Sequence, residues 1–241
     1  MLIGLGLLVL AILFGGGSPF VVPHLKKYVK THVVDDTSKK IILDILKDAK
    51  TKRKEVSKTN ADFLKELHKL SVSRESTQED FDELGKRMLD FELESQEFNL
   101  SVTRESQKQI TAEEWGKIQK DIAASLMKSD KKRSKHTSKL EKVFDKLVAK
   151  INKTIVDEDM RKSAVQSVET LRIINIDNYK KIQAEMLNKN SAMYKYKASE
   201  SELQKLQDKF ILLIKEVYKA NTKTHSDLVK ITTPEEWKKI N

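Results

Sequence analysis

The sequence predicts an all-α protein: an N-terminal membrane-anchor helix followed by two tandem slender helical-bundle repeats. Three observations lead there. Gly and Pro together fill only ten of 241 positions while charged residues make up 34%, a balance that suits long helices and disfavours a loop-rich β fold. Apolar residues recur at three- and four-residue steps over long stretches. Finally, Thr111-Ala112-Glu113-Glu114-Trp115-Gly116-Lys117-Ile118 returns as Thr233-Pro234-Glu235-Glu236-Trp237-Lys238-Lys239-Ile240, 122 residues later and with six of eight positions identical.

That motif reads as a helix start. Thr111 and Thr233 cap, and Ala112 or Pro234 takes the first helical position. The second acid, Glu114 or Glu236, reaches back as a capping-box partner. Trp115 and Trp237 are the only tryptophans in the chain. The offset extends beyond the motif. Phe81, Leu84, Met88, Phe91, Ser95 and Phe98 step like Leu203, Leu206, Phe210, Leu213, Val217 and Ala220. Thr77 maps to Ser199, and Val33-Val34-Asp35-Asp36 maps to Ile155-Val156-Asp157-Glu158. A repeat at fixed spacing predicts one supersecondary unit used twice.

Taken in order, the chain divides at 1–22, 23–127, 128–139 and 140–241. Residues Leu2 to Phe14 are an unbroken apolar run, and Leu2 to Val22 is just long enough to span a bilayer. An uncharged start favours an uncleaved anchor; a cleaved signal peptide is the alternative. Lys26, Lys27 and Lys30 follow the run and no basic residue precedes it. That bias predicts a single-pass membrane protein with its body in the cytoplasm, a periplasmic body being the alternative. The same three lysines are candidate contacts for anionic headgroups.

A short helix over His24 to Val34 precedes a long one that Asp35 or Asp36 caps and that reaches about Leu70, roughly 50 Å at 1.5 Å per residue. Lys52-Arg53-Lys54 interrupts its apolar stripe, as a basic patch or as a solvated layer. A Phe-rich helix from about Thr77 to Gln107 should pack antiparallel to it. The Thr111 helix carries Trp115, Ile118, Ile122 and Leu126. The second unit repeats the plan, its long helix running from Asp157 to roughly Asn190. It adds Tyr194 and Tyr196 at the turn, as a contact surface or a tip packed on its own helices.

Charge is divided unevenly: residues 1–127 hold 20 basic and 20 acidic side chains, whereas 128–241 hold 26 and 16. Lys128, Lys131, Lys132, Arg133, Lys135 and Lys139 face only Asp130 in the 128–139 stretch. This stretch reads as a basic linker and as a candidate patch for an anionic partner. It lacks the interleaved aromatics of a single-strand binder, which argues against nucleic acid.

No chemistry-bearing constellation stands out. Without cysteine there is no thiol catalysis and no zinc–thiolate site. The five histidines, His24, His32, His68, His136 and His225, have no helical metal-ligand spacing. No Gly-rich phosphate loop or nucleophile elbow occurs. The expectation is a non-catalytic protein without cofactor: a membrane-anchored scaffold or adaptor for protein partners, able to oligomerise through helix faces. The alternative is an exported, chaperone-like binder of unfolded clients. The Thr-x-Glu-Glu motif resembles the Leu-Thr-x-x-Gln motif of small periplasmic chaperone and metal-stress proteins, with Glu114 and Glu236 where that motif has Gln. In plan, though not in residues, the anchored helical repeats are similar to spectrin-like, membrane-anchored regulators of bacterial cell division.

Overall fold

Six helix starts are written into the sequence as side-chain caps, and these set the architecture. In the computed structural model, which describes residues 20–22 and 24–241 with the side chains of 128–136 excepted, the chain is all-helical. The helices are α1 (Leu25–His32), α2 (Asp36–Val72), α3 (Gln78–Lys108), α4 (Ala112–Thr154), α5 (Glu158–Leu187), α6 (Glu200–Ile231) and α7 (Pro234–Ile240), with a single 3-10 turn at Ala192–Tyr194. Asp35, Thr77, Thr111, Asp157, Ser199 and Thr233 each accept from the backbone N–H three residues on. At Thr77, Thr111, Ser199 and Thr233 the reciprocal acid completes a capping box.

Element boundaries recur 122 residues apart. The starts of α2, α3 and α4 correspond to those of α5, α6 and α7, and the end of α1 at His32 to the end of α4 at Thr154. The stretch 128–139, expected as a linker, lies inside α4, which therefore serves both halves of the molecule. Its N-terminal part carries α1, through Tyr28 Oη donating to Asp121 O at 3.2 Å and His32 Nε2 meeting Asp121 Oδ2 at 2.8 Å. Its C-terminal part carries α7, through Lys150 Nζ donating to Ile240 O at 3.1 Å.

Each half also contains an antiparallel helix pair. Phe63 meets Phe91, with ring centroids 5.6 Å apart, and Arg87 pairs with Glu66 at 2.8 Å, which fixes α2 against α3. Lys209–Glu185 at 2.7 Å and Ser167–Asp227 at 3.1 Å do the same for α5 against α6. The pairs meet across α3 and α6, which are also antiparallel: Arg104 pairs with Glu200 at one end, and Tyr218 Oη donates to Phe81 O at the other. One continuous core of Trp115, Phe144, Phe210, Ile42, Leu84 and their neighbours runs through both halves.

The close approach of α3 and α6 depends on Gly85. A Cβ there would meet Tyr218 Cε1 at 2.5 Å and Cζ at 2.7 Å. Tyr218 is buried and its hydroxyl is committed, so the ring has nowhere to go. Gly85→Ala would gain about 1 kcal/mol of helix propensity, but overpacking costs about 1–3 kcal/mol and should win. Urea denaturation should show net destabilisation, relieved when Tyr218→Leu is added. A stabilised Gly85→Ala would mean the two helices are not clamped there.

The single-pass membrane reading is corrected. Among the described residues, no helix is long and apolar enough to cross a membrane. The long helices carry charged residues in every few turns, on the sides left exposed after they pack on one another. Of the run assigned to the anchor, 1–22, residues 1–19 lie outside the described residues, whereas Phe20 and Val22 are buried in the protein core, Phe20 against Phe210 with ring centroids 5.5 Å apart. Lys26, Lys27 and Lys30, expected as headgroup contacts, lie on the exposed side of α1, whose Leu25, Tyr28 and Val29 are buried.

Candidate functional site

The two motif tryptophans make matching bonds across the molecule. Trp115 Nε1 donates to Tyr194 O at 2.9 Å, and Trp237 Nε1 donates to Val72 O at 2.8 Å. The two acceptors are themselves 122 residues apart. A second matched pair flanks the first. Tyr196 Oη donates to Ile110 O at 2.8 Å, and Arg74 Nη1 donates to Thr232 Oγ1 at 3.1 Å, both ends being displaced by the same offset. Each half thus tucks its helix-pair turn into the motif joint of the other. Tyr194 and Tyr196 pack into this joint rather than forming a free surface, Tyr194 being 2% exposed.

The remaining motif residues differ between the joints. Glu114 is buried enough to raise its pKa, yet bonds from Val34 N, Thr111 N and the Thr111 hydroxyl outweigh that and hold it below the usual carboxylate range. Glu236 only caps its own helix, accepting from Thr233 N at 2.9 Å. His225 sits between Phe81 and Trp237, with centroids at 4.8 and 5.2 Å, and Nε2 lies 3.0 Å from Ser73 O. Burial lowers its pKa.

The described residues hold no group of three or more acids and histidines placed to ligate a metal. Of the basic patch, Lys139 is exposed on α4; the side chains of Lys128, Lys131, Lys132, Arg133 and Lys135 lie outside the description. Arg53 is not part of a solvated layer: it reaches inward, and its Nε donates to Asn99 Oδ1 at 2.8 Å. Burial lowers its pKa.

Asn99 belongs to a buried polar face of α3 that also holds Glu92, Ser95, Gln96 and Thr103. Gln96 Nε2 donates to Glu92 at 2.9 Å, while Gln96 Oε1 and Ser95 Oγ have no partner. Burial pushes the Glu92 carboxyl up to about 7 against the pull of that Gln96 bond. Of these residues only Ser95 falls in the 3-4 stripe read from the sequence, because buried polar side chains add nothing to hydrophobic periodicity.

Among the described residues, two clefts of about 400 Å³ or more open on the surface. One, of about 400 Å³, runs between α5 and α6 over Leu171 and Ala220, with Ser163, Ser167, Thr170 and Thr224 along it. Asp227 stands at its edge, accepting from Ser167 and from Lys223 at 2.6 Å. The other, of about 430 Å³, lies between α3 and α6. At positions 122 earlier than Ser163, Ser167, Ala220 and Thr224, the α2–α3 pair carries Ile41, Ile45, Phe98 and Val102. Of these larger side chains Val102 is buried and Ile45 and Phe98 pack against the core, while Ile41 is 40% exposed. Among the described residues, neither cleft is lined by a convergent acid–base or nucleophilic set. The chain matches no family model, no curated protein and no solved structure.

Proposed function

We propose that the chain is a non-catalytic helical scaffold, built by tandem duplication of a unit of 122 residues, whose second unit offers the α5–α6 cleft to a helix of a protein partner. The duplication is supported by the matched caps, boundaries and cross-bonds described above. The observation that carries the binding role is the exchange of Phe98 and Ile45 for Ala220 and Ser167 at offset-related positions. Small residues in place of large ones leave a groove that a lone helix pair has no reason to keep open, since filling it would bury apolar surface worth about 25 cal/mol per Å².

The groove dimensions suit one ridge of a helix. Its linings on α5 and α6 each span twelve residues, 163–174 and 220–231, about 17 Å long at 1.5 Å per residue. A volume of about 400 Å³ over that length leaves a cross-section of roughly 24 Å². That is room for a single file of side chains, the i, i+4, i+7 anchors of an amphipathic helix.

Ala220→Phe combined with Ser167→Ile transplants the first unit's filling into the second. The variant should keep or raise the melting temperature and lose the protein partners that the immobilised wild-type chain retains. An unchanged captured set, measured by quantitative mass spectrometry, would remove the cleft from the account.

A further inference from the structure

We infer that the α3–α6 cleft is the contact face of a twofold dimer of this chain. Its floor is apolar: Leu89, Leu93 and Ile211 line it, and Leu93 is 40% exposed. Leu212, 57% exposed, stands beside it on α6. Such a floor between two long antiparallel helices is half of a four-helix layer.

The walls say what covers it. The α3 wall presents Asp82, Lys86 and Asp90, acidic on balance, and the α6 wall presents Lys215 and Lys219 with no acid. The bias continues along each helix: α3 carries nine acidic against four basic residues, α6 five against six. Among the described residues, Asp90, Lys215 and Lys219 enter no ion pair within the chain. A foreign helix would need one acidic and one basic flank in the right order; a second copy has them by construction. With the twofold axis parallel to the helices, each α3 lies over the partner's α6, so acid faces base twice, as an isologous contact requires. The perpendicular axis would stack acid on acid and is disfavoured. The face is short, since 82–93 spans about 17 Å. It suits a weak, reversible dimer.

Sedimentation velocity on the full chain over a concentration series tests this. The wild type should pass from monomer to dimer, with dissociation increasing at high salt. Asp82→Lys/Asp90→Lys makes both walls basic, and Lys215→Glu/Lys219→Glu makes both acidic. Each variant alone should stay monomeric, and an equimolar mixture should form the heterodimer. Leu212→Glu, at an exposed site where folding is not at risk, should abolish association independently. A wild type that stays monomeric into the high micromolar range overturns the proposal and leaves the cleft to a different protein. So does association that persists unchanged in the variants, or a mixture that does not associate.

Discussion

Glu92→Gln is expected to stabilise the protein by about 3 kcal/mol at a pH of about 8, and to change little at a pH of about 4. The carboxyl is pushed from 4.5 to about 7 by burial on α3. Its native pKa therefore lies above its unfolded one. Between the two, the folded chain holds a proton that the unfolded chain has lost, so stability is full below about 4.5 and declines as pH rises towards about 7. Above that the penalty of an ionised buried group is constant. Glutamine removes the penalty, and its amide offers a donor in the layer where Gln96 Oε1 has none. Urea denaturation of wild type and variant across this range reads the difference directly, with the titration of His225 common to both. Parallel pH curves for the two proteins would show that Glu92 is not ionising in a buried site.

Trp115→Ala should cost about 3–5 kcal/mol, the scale for emptying a buried aromatic site. The indole is 0% exposed, and it holds the turn of the opposite half through Tyr194 O. Trp115→Phe separates the two contributions. It keeps most of the volume, loses the indole bond and should cost about 1 kcal/mol, because Gln119 Nε2 still donates to the same carbonyl. Trp237→Phe leaves Val72 O without that donor and should cost at least as much. Since each tryptophan bonds across the halves, the variants should still melt in a single transition at a lower temperature. A second, separate transition in thermal unfolding would mean that the halves fold independently and the braces are incidental.

The helix starts were legible because capping is local. An acceptor at one residue and a backbone donor three residues on need no knowledge of the rest of the chain, so Thr77, Thr111, Asp157, Ser199 and Thr233 could be read directly, and the α2 cap, Asp35, to within one residue. The apolar stripe of α3 was legible for the same reason, and Phe81, Leu84 and Met88 are buried. The linker expected at 128–139 shows the limit of composition. A basic run looks like a solvated connection, yet Lys and Arg are good helix formers and no Gly or Pro occurs between Gly116 and Pro234, so α4 continues through it. The membrane assignment rested on apolar length and flanking charge alone, and the described helices give no spanning segment.

By itself the sequence determined that this is an all-helical chain, where its helices begin, and that one stretch is written twice. These are matters of near-neighbour geometry, carried by residues three or four apart. Only the tertiary structure decided how the halves meet. The indoles reach carbonyls 79 and 165 residues away, Gly85 receives the ring of Tyr218, and Glu92 is buried on the same side of α3 as Phe81, Leu84 and Met88, where the apolar stripe turns polar. Contacts of that kind depend on which surfaces are left after each helix pair has closed, and this packing outcome has no signature in any short window of residues.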